Sequence, residues 1–161
     1  MEQDYSDALP AGAHVLPGKS WTAYLGLAGI VLLGIFLTAL LALFAGLPAG
    51  GVLLVLLLGY AGFRFAEIAS YRFYYDASGV WVYAGILPWA KGVSGVKWRD
   101  LDEAIYEQNF WSWLFKSYTV RIGHRFTKSS ELLLTHMHHG DQSVMAINQQ
   151  HKLHIRDQDA V

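Results

Sequence analysis

The chain has 161 residues, of which 53% are hydrophobic and only 16% charged, and its formal net charge is −1. Soluble domains carry about 25% charged residues, so the composition is not that of an ordinary water-soluble domain. The nearly neutral charge, with no basic stripe, argues against nucleic acid as a partner. Cysteine is absent, which excludes disulfides.

The start of the chain is acidic, contains proline and glycine, and shows no periodicity. We therefore expect residues 1–19 to form a flexible tail. A cleaved signal peptide opens with basic residues before a short apolar region, whereas this chain opens with Glu2, Asp4 and Asp7.

An uncharged stretch of 44 residues follows, from Ser20 to Phe63, and all 25 acidic and basic residues lie outside it. As one helix it would be about 66 Å long, roughly twice the thickness of a membrane's hydrocarbon core. The segment Ala45–Gly51, with three glycines and Pro48, divides it. The rest of the chain is too short to enclose this stretch and also form its own core. We therefore predict a transmembrane hairpin over residues 20–69, with spans at about 22–44 and 49–66.

Aromatic and basic side chains mark one edge of this hairpin. Trp and Tyr are favoured at the membrane–water interface, and an arginine there can extend its guanidinium to water. We expect interfacial anchors at Trp21, Tyr24, Tyr60 and Arg64.

The positive charges next to the spans predict the orientation. Lys19 precedes the first span, Arg64 and Arg72 follow the second, and the connecting turn carries no charge. Because basic residues favour the cytoplasmic side, both termini are expected in the cytoplasm.

The sequence after the second span is typical of a small β-rich domain, expected over residues 70–155 and followed by a short tail at 156–161. Asp76-Ala77-Ser78-Gly79 has the residues of a type I turn between two aromatic, β-branched runs. Strands are predicted at 71–75, 80–83, 95–99, 104–108, 118–122 and 131–135. A final helix is predicted from Gly140 to about His151, with Val144, Ile147 and His151 on one face.

This arrangement resembles the bacterial pleckstrin-homology-like domains that directly follow a membrane hairpin. The residues that carry the likeness are Tyr71–Val82, Val96–Leu101 and Tyr118–Ile122. The resemblance implies a split β-barrel of two crossed antiparallel sheets with a C-terminal helix. It also implies a bacterial plasma (inner) membrane protein without enzyme activity.

The segment Asn109–Lys116 holds four aromatic residues within six positions. Read as an extended strand, it would place Trp111, Trp113 and Phe115 on one face. These residues either close the open end of the barrel or, with Lys116, face lipid headgroups or a partner protein. We expect Trp113 to be structural and Trp111 to serve recognition.

Five of the seven histidines fall in two groups, and these are weak candidates for metal ligands: His136, His138, His139, His151 and His154. Their spacing lacks the Glu and the i,i+4 pattern of a zinc-protease helix, so solvated histidines explain them as well. We expect no metal and no cofactor.

No nucleophile elbow, phosphate-binding glycine loop or Ser/His/Asp arrangement occurs in the sequence. We therefore expect a non-enzymatic binding or scaffold module at the cytoplasmic face, which contacts membrane lipids and docks another membrane or membrane-associated protein. The alternative is a domain that binds lipid headgroups, and a histidine-based metal site ranks third.

Overall fold

Two long apolar helices precede two antiparallel sheets and a C-terminal helix, so the mixed α+β class is confirmed. The computed structural model describes residues 10, 12–126 and 130–159. Its helices are α1 (Leu25–Ala45), which a 3-10 helix (Trp21–Tyr24) precedes, α2 (Leu47–Ala69), α3 (Phe110–Phe115) and α4 (Gly140–Asp159). Its strands are β1 (His14–Leu16), β2 (Arg72–Tyr75), β3 (Gly79–Ala84), β4 (Gly92–Lys97), β5 (Leu101–Glu107), β6 (Ser117–His124) and β7 (Leu132–His138).

The helices α1 and α2 form an antiparallel hairpin with a one-residue connection at Gly46, whose φ of 94° suits glycine. Each helix is long and apolar enough to cross a membrane, and the apolar windows are unburied within the protein. The two helices approach each other closely near the turn, where a Cβ placed on Gly50 would lie 2.6 Å from the Cβ of Ala42. A larger side chain there would force the helices apart.

The predicted hairpin of β2 and β3 is confirmed, and Asp76 explains its turn. Its Oδ1 accepts hydrogen bonds from the backbone N–H of Ser78 at 2.7 Å and of Gly79 at 3.0 Å, and from Nε1 of Trp81 at 3.1 Å. Burial pushes the pKa of the Asp76 carboxyl up, but these bonds favour the carboxylate and hold its pKa below the usual value.

The β-domain consists of a four-stranded sheet, in the order β1-β2-β3-β4, and a three-stranded sheet, in the order β5-β6-β7. The chain links the sheets at Lys19, which follows β1 and pairs with Met137 of β7. The strands β4 and β5 are not paired with each other. The barrel is therefore not closed. Of the expected split barrel, the structure contains the two antiparallel sheets and the C-terminal helix.

One hydrophobic core lies between the two sheets and α4. The alternation predicted for β6 is confirmed, since Tyr118, Val120 and Ile122 are buried while Arg121 is exposed. The predicted face of α4 is confirmed as well, because Val144, Ile147 and His151 are all buried, as are Gly140 and Ser143 on the same helix.

The expected domain boundaries need correction at both ends. Residues 14–16 form β1, which pairs with β2, so the second half of the expected tail belongs to the β-domain; residues 1–9 and 11 lie outside the described residues. At the other end, α4 continues to Asp159, beyond the predicted end near His151 and into the expected tail.

Candidate functional site at the junction of hairpin and domain

The aromatic segment is a short helix, α3, rather than the extended chain that would place Trp111, Trp113 and Phe115 on one face. A reciprocal capping box explains why. Asn109 Oδ1 accepts from the backbone N–H of Ser112 at 2.8 Å, and Ser112 Oγ accepts from the backbone N–H of Asn109 at 2.6 Å. Lys116 ends the helix in a left-handed conformation, with a φ of 51°. These local bonds outweigh the strand preference of Trp and Phe.

The exposed side chains of α3 form an aromatic patch, which we name the α3 surface: Phe110, Trp111, Trp113 and Leu114. Trp111 is 63% exposed and Trp113 is 51% exposed. Both side chains are therefore largely exposed rather than enclosed in the core, and the structural role expected for Trp113 stays a prediction. Trp111 stacks on Phe115 with ring centroids 5.9 Å apart, and Lys116 Nζ lies 5.7 Å from the ring of Trp113.

Backbone pairing fixes the chain just before the first long helix against β7. The backbone N–H of Ser20 donates to the carbonyl of His136 at 2.7 Å, and the N–H of His138 donates to the carbonyl of Gly18 at 2.9 Å. Lys19 Nζ donates to the carbonyl of Thr135 at 2.6 Å and lies over the Tyr71 ring. Burial lowers the pKa of the Lys19 ammonium. The β-domain therefore begins before the hairpin and holds its first helix directly.

Side chains of the 3-10 helix complete this junction. The hydroxyls of Thr22 and Ser117 share a hydrogen bond of 2.5 Å, and both residues are buried. Trp21 contacts Phe115 edge to face at 5.0 Å. The α3 surface thus lies beside the start of the first apolar helix.

Of the residues expected as interfacial anchors, Trp21, Tyr24 and Arg64 lie toward the domain end of the hairpin, whereas Tyr60 lies near the middle of α2. Tyr24 contacts Phe65 at 5.1 Å, Tyr60 is exposed, and Arg64 forms an ion pair with Glu67.

Sequence reasoning missed a further exposed tryptophan, in a loop that contacts α2. Trp89, in the loop between β3 and β4, is 81% exposed. The same loop lines a cavity together with Phe63 and Glu67 of α2, and the N–H of Gly85 donates to Ser70 Oγ at 3.1 Å. The sequence feature that could have indicated an exposed tryptophan is the Pro88-Trp89 pair, followed by Lys91, in the loop between two predicted strands.

The candidate histidines do not converge. Among the described residues, no group of three or more His, Cys, Asp or Glu side chains is placed to hold a metal ion. His138 and His139 contact each other at 4.2 Å, while His151 and His154 lie against Trp98 at 6.2 and 6.4 Å.

Two histidines have shifted pKa values. Partial burial, with the nearby Lys19 charge, lowers the pKa of His136. Burial, with the charge of Arg125, lowers the pKa of His151. Both imidazoles are therefore neutral at pH 7, since the ordinary histidine pKa is already about 6.5.

A separate open groove of about 510 Å³ lies between β5 and α4. The side chain of Asn148 fixes these elements together, since its Oδ1 accepts from the N–H of Ala104 at 3.1 Å and its Nδ2 donates to the carbonyl of Ala104 at 2.8 Å. Exposed Tyr106 and Met145 line the groove.

Comparisons of the chain with protein-family models, with curated proteins and with solved structures gave no significant match. The junction is therefore interpreted from its own geometry and chemistry.

Proposed function

We propose that α1 and α2 anchor the protein in a membrane and that its β-domain is a non-enzymatic binding module held against the cytoplasmic face. Support for the anchoring comes from the length and apolar surface of both helices. Support for the orientation comes from Lys19, Arg64 and Arg72 at the domain end of the hairpin. The resemblance to bacterial pleckstrin-homology-like domains adds the inner membrane of a bacterium as the location.

The observation that carries the proposal is the pair of exposed tryptophan sites flanking the domain end of the hairpin. The α3 surface lies beside the start of α1, and Trp89 lies in the loop that adjoins α2. An exposed lysine accompanies each site, Lys116 on one side and Lys91 on the other. Aromatic rings with basic side chains are the combination favoured in the headgroup layer.

This placement favours lipid contact over protein contact for the α3 surface. With α1 and α2 in a bilayer, the start of α1 lies at the headgroup level, and the fixed junction brings α3 to the same level. We therefore assign the α3 surface to the membrane. In this arrangement the β-domain contacts the bilayer surface directly.

Docking of a partner protein is the second candidate function, and the groove between β5 and α4 favours it. Since α4 is already joined to β5 through Asn148, the groove walls are held in place without a ligand. Exposed Ile105, Tyr106 and Met145 offer an apolar lining beyond the residues that the membrane would cover.

Single-cysteine labelling of the full chain tests the membrane assignment, because the natural sequence has no cysteine. Trp111→Cys and Trp89→Cys, each carrying an environment-sensitive fluorophore in lipid vesicles, should show blue-shifted emission and quenching by lipid-borne quenchers. Phe126→Cys is the matched control, since Phe126 is also an exposed aromatic. It follows the far end of β6, about 23 Å along the strand from Ser117.

The control label should be quenched by water-soluble iodide instead. If the labels at positions 111 and 126 respond equally to iodide, the α3 surface faces water and the protein-docking function takes precedence.

A further inference from the structure

A cavity of about 580 Å³ lies at the junction, between the start of α1, the helix α3 and the strands β5 and β6. Leu25 and Gly26 of the first turn of α1 form part of its wall. The cavity therefore opens beside the apolar helix, at the level that the proposed function gives to lipid headgroups.

The lining divides into an apolar and a polar part. Ala23, Leu25, Trp111 and Phe115 supply apolar walls. The polar part includes the buried hydroxyl pair of Thr22 and Ser117, the buried Ser112, and Thr119, His136, Asn109 and Glu107. An amphipathic cavity of this kind suits a molecule that has both a polar head and an apolar chain.

The lining also selects the charge of the head. Among the described residues that line the cavity there is one carboxylate, Glu107, and no lysine or arginine. Lys19, next to His136, donates to the Thr135 carbonyl instead, and His136 is neutral at pH 7 because partial burial and Lys19 lower its pKa. An anionic head would thus meet a carboxylate whose cationic partner, Arg121, lies outside the lining.

Glu107 is available to a ligand. Its carboxylate forms a long, exposed ion pair with Arg121, whose Nη2 lies 3.9 Å away. A carboxylate accepts several hydrogen bonds at once, so Glu107 can also accept from a ligand ammonium group. The hydroxyls of Thr22 and Ser117 carry two hydrogens, and their mutual bond uses one of them. The second hydrogen can be donated to a phosphate oxygen.

We propose that this cavity binds the headgroup of an aminophospholipid of the ethanolamine type from the adjoining leaflet. The ammonium group binds Glu107, the hydroxyls donate to the phosphate, and the acyl chains lie along α1 beside Leu25. This site rests on the membrane anchoring proposed above.

The test uses the full chain reconstituted in vesicles with equal amounts of phosphatidylethanolamine and phosphatidylglycerol, followed by native mass spectrometry of the retained lipid. Gly26→Leu introduces a bulky side chain into the cavity wall, where a Cβ at Gly26 meets no atom within 4 Å. Gly29→Leu is its matched control, on the same helix with equally open surroundings but outside the cavity. Glu107→Gln removes the charge, with Glu103→Gln on the same strand as its control.

The wild-type chain and both controls should retain one phosphatidylethanolamine, and Gly26→Leu should lose it. Glu107→Gln should lower the preference for phosphatidylethanolamine over phosphatidylglycerol by about tenfold, as loss of a charge-assisted hydrogen bond does. Glu107→Gln also serves as the test if Gly26→Leu fails to fold, because Glu107 lies at the surface.

Retention of lipid by Gly26→Leu at the wild-type level, or equal retention of both lipids by the wild type, would overturn the site. Absence of any retained lipid from the wild type would do the same. Release of the chain from vesicles by alkaline carbonate would instead show that the anchoring itself is wrong, which separates the two failures.

Discussion

Replacing each of three tryptophans by alanine separates surface roles from core roles in the β-domain. Trp98 is 2% exposed and its Nε1 donates to the carbonyl of Asp76 at 2.8 Å. Trp→Ala in a core costs about 3–5 kcal/mol, and this change also leaves a carbonyl without its donor. Trp98→Ala should therefore lower the free energy of unfolding by at least about 3–5 kcal/mol, out of a total of about 5–15 kcal/mol.

Alanine substitution of either tryptophan of α3 should lower the free energy of unfolding by much less. A fully buried tryptophan removes about 200 Å² from water, so Trp113, 51% exposed, buries about 100 Å². At about 25 cal/mol per Å² this gives about 2.5 kcal/mol, which the compactness of the unfolded chain reduces to about 1.5–2 kcal/mol. Trp111, 63% exposed, should cost about 1–1.5 kcal/mol on the same basis.

Urea unfolding of the full chain in a mild detergent, followed by circular dichroism, measures these differences. The expected order of destabilisation is Trp98→Ala well above Trp113→Ala, with Trp111→Ala close to Trp113→Ala. A Trp113→Ala variant as unstable as Trp98→Ala would refute the surface assignment of α3 and support a structural role for this residue.

Three further predictions concern the hairpin and the titration of the domain. Alkaline carbonate should leave the protein in membranes while detergent releases it, and release by carbonate would mean that α1 and α2 are not inserted. Gly50→Leu should lower the melting temperature in detergent, because overpacking costs about 1–3 kcal/mol, whereas Gly51→Leu, whose Cβ meets no atom within 4 Å, should not. Stability should fall as the pH drops below about 6.5, because burial lowers the pKa of His151 in the folded state, so the unfolded chain binds the proton more tightly. The slope is at most about 1.4 kcal/mol per pH unit for one proton, and unfolding curves of His151→Phe should show a shallower slope; an unchanged slope would argue against this histidine.

The sequence predicts the elements that carry a strong local pattern. The hairpin follows from 44 uncharged residues divided by Pro48 and its glycines. The β2–β3 turn follows from Asp76, and the buried face of β6 follows from strict alternation at Tyr118, Val120 and Ile122. In each case the signal comes from neighbours in the chain.

The features that the sequence did not predict depend on distant partners or on weak local signals. The strand β1 has three residues and owes its structure to pairing with β2, some 60 residues later. The helix α3 was not predicted, because its aromatic residues favour strands and the Asn109–Ser112 pair that caps it lacks the usual Glu or Gln. The cavity combines Thr22–Gly26 with residues 107–119, which no local pattern brings together.

The backbone gives an independent reason to regard the junction as more than a tether. Among the described residues, the non-glycine positions with positive φ are Lys116, His136 and His139. The carbonyl of His136 accepts from Ser20, and the N–H of His139 donates to the carbonyl of Lys116 at 3.1 Å, so all three serve the junction. Such conformations cost about 1–3 kcal/mol each and persist only where the surroundings enforce them. A flexible linker would anchor a domain without this cost. In this chain the strained conformations hold α3 and the cavity at a fixed position beside α1. A surface that binds headgroups, as proposed, requires such a placement.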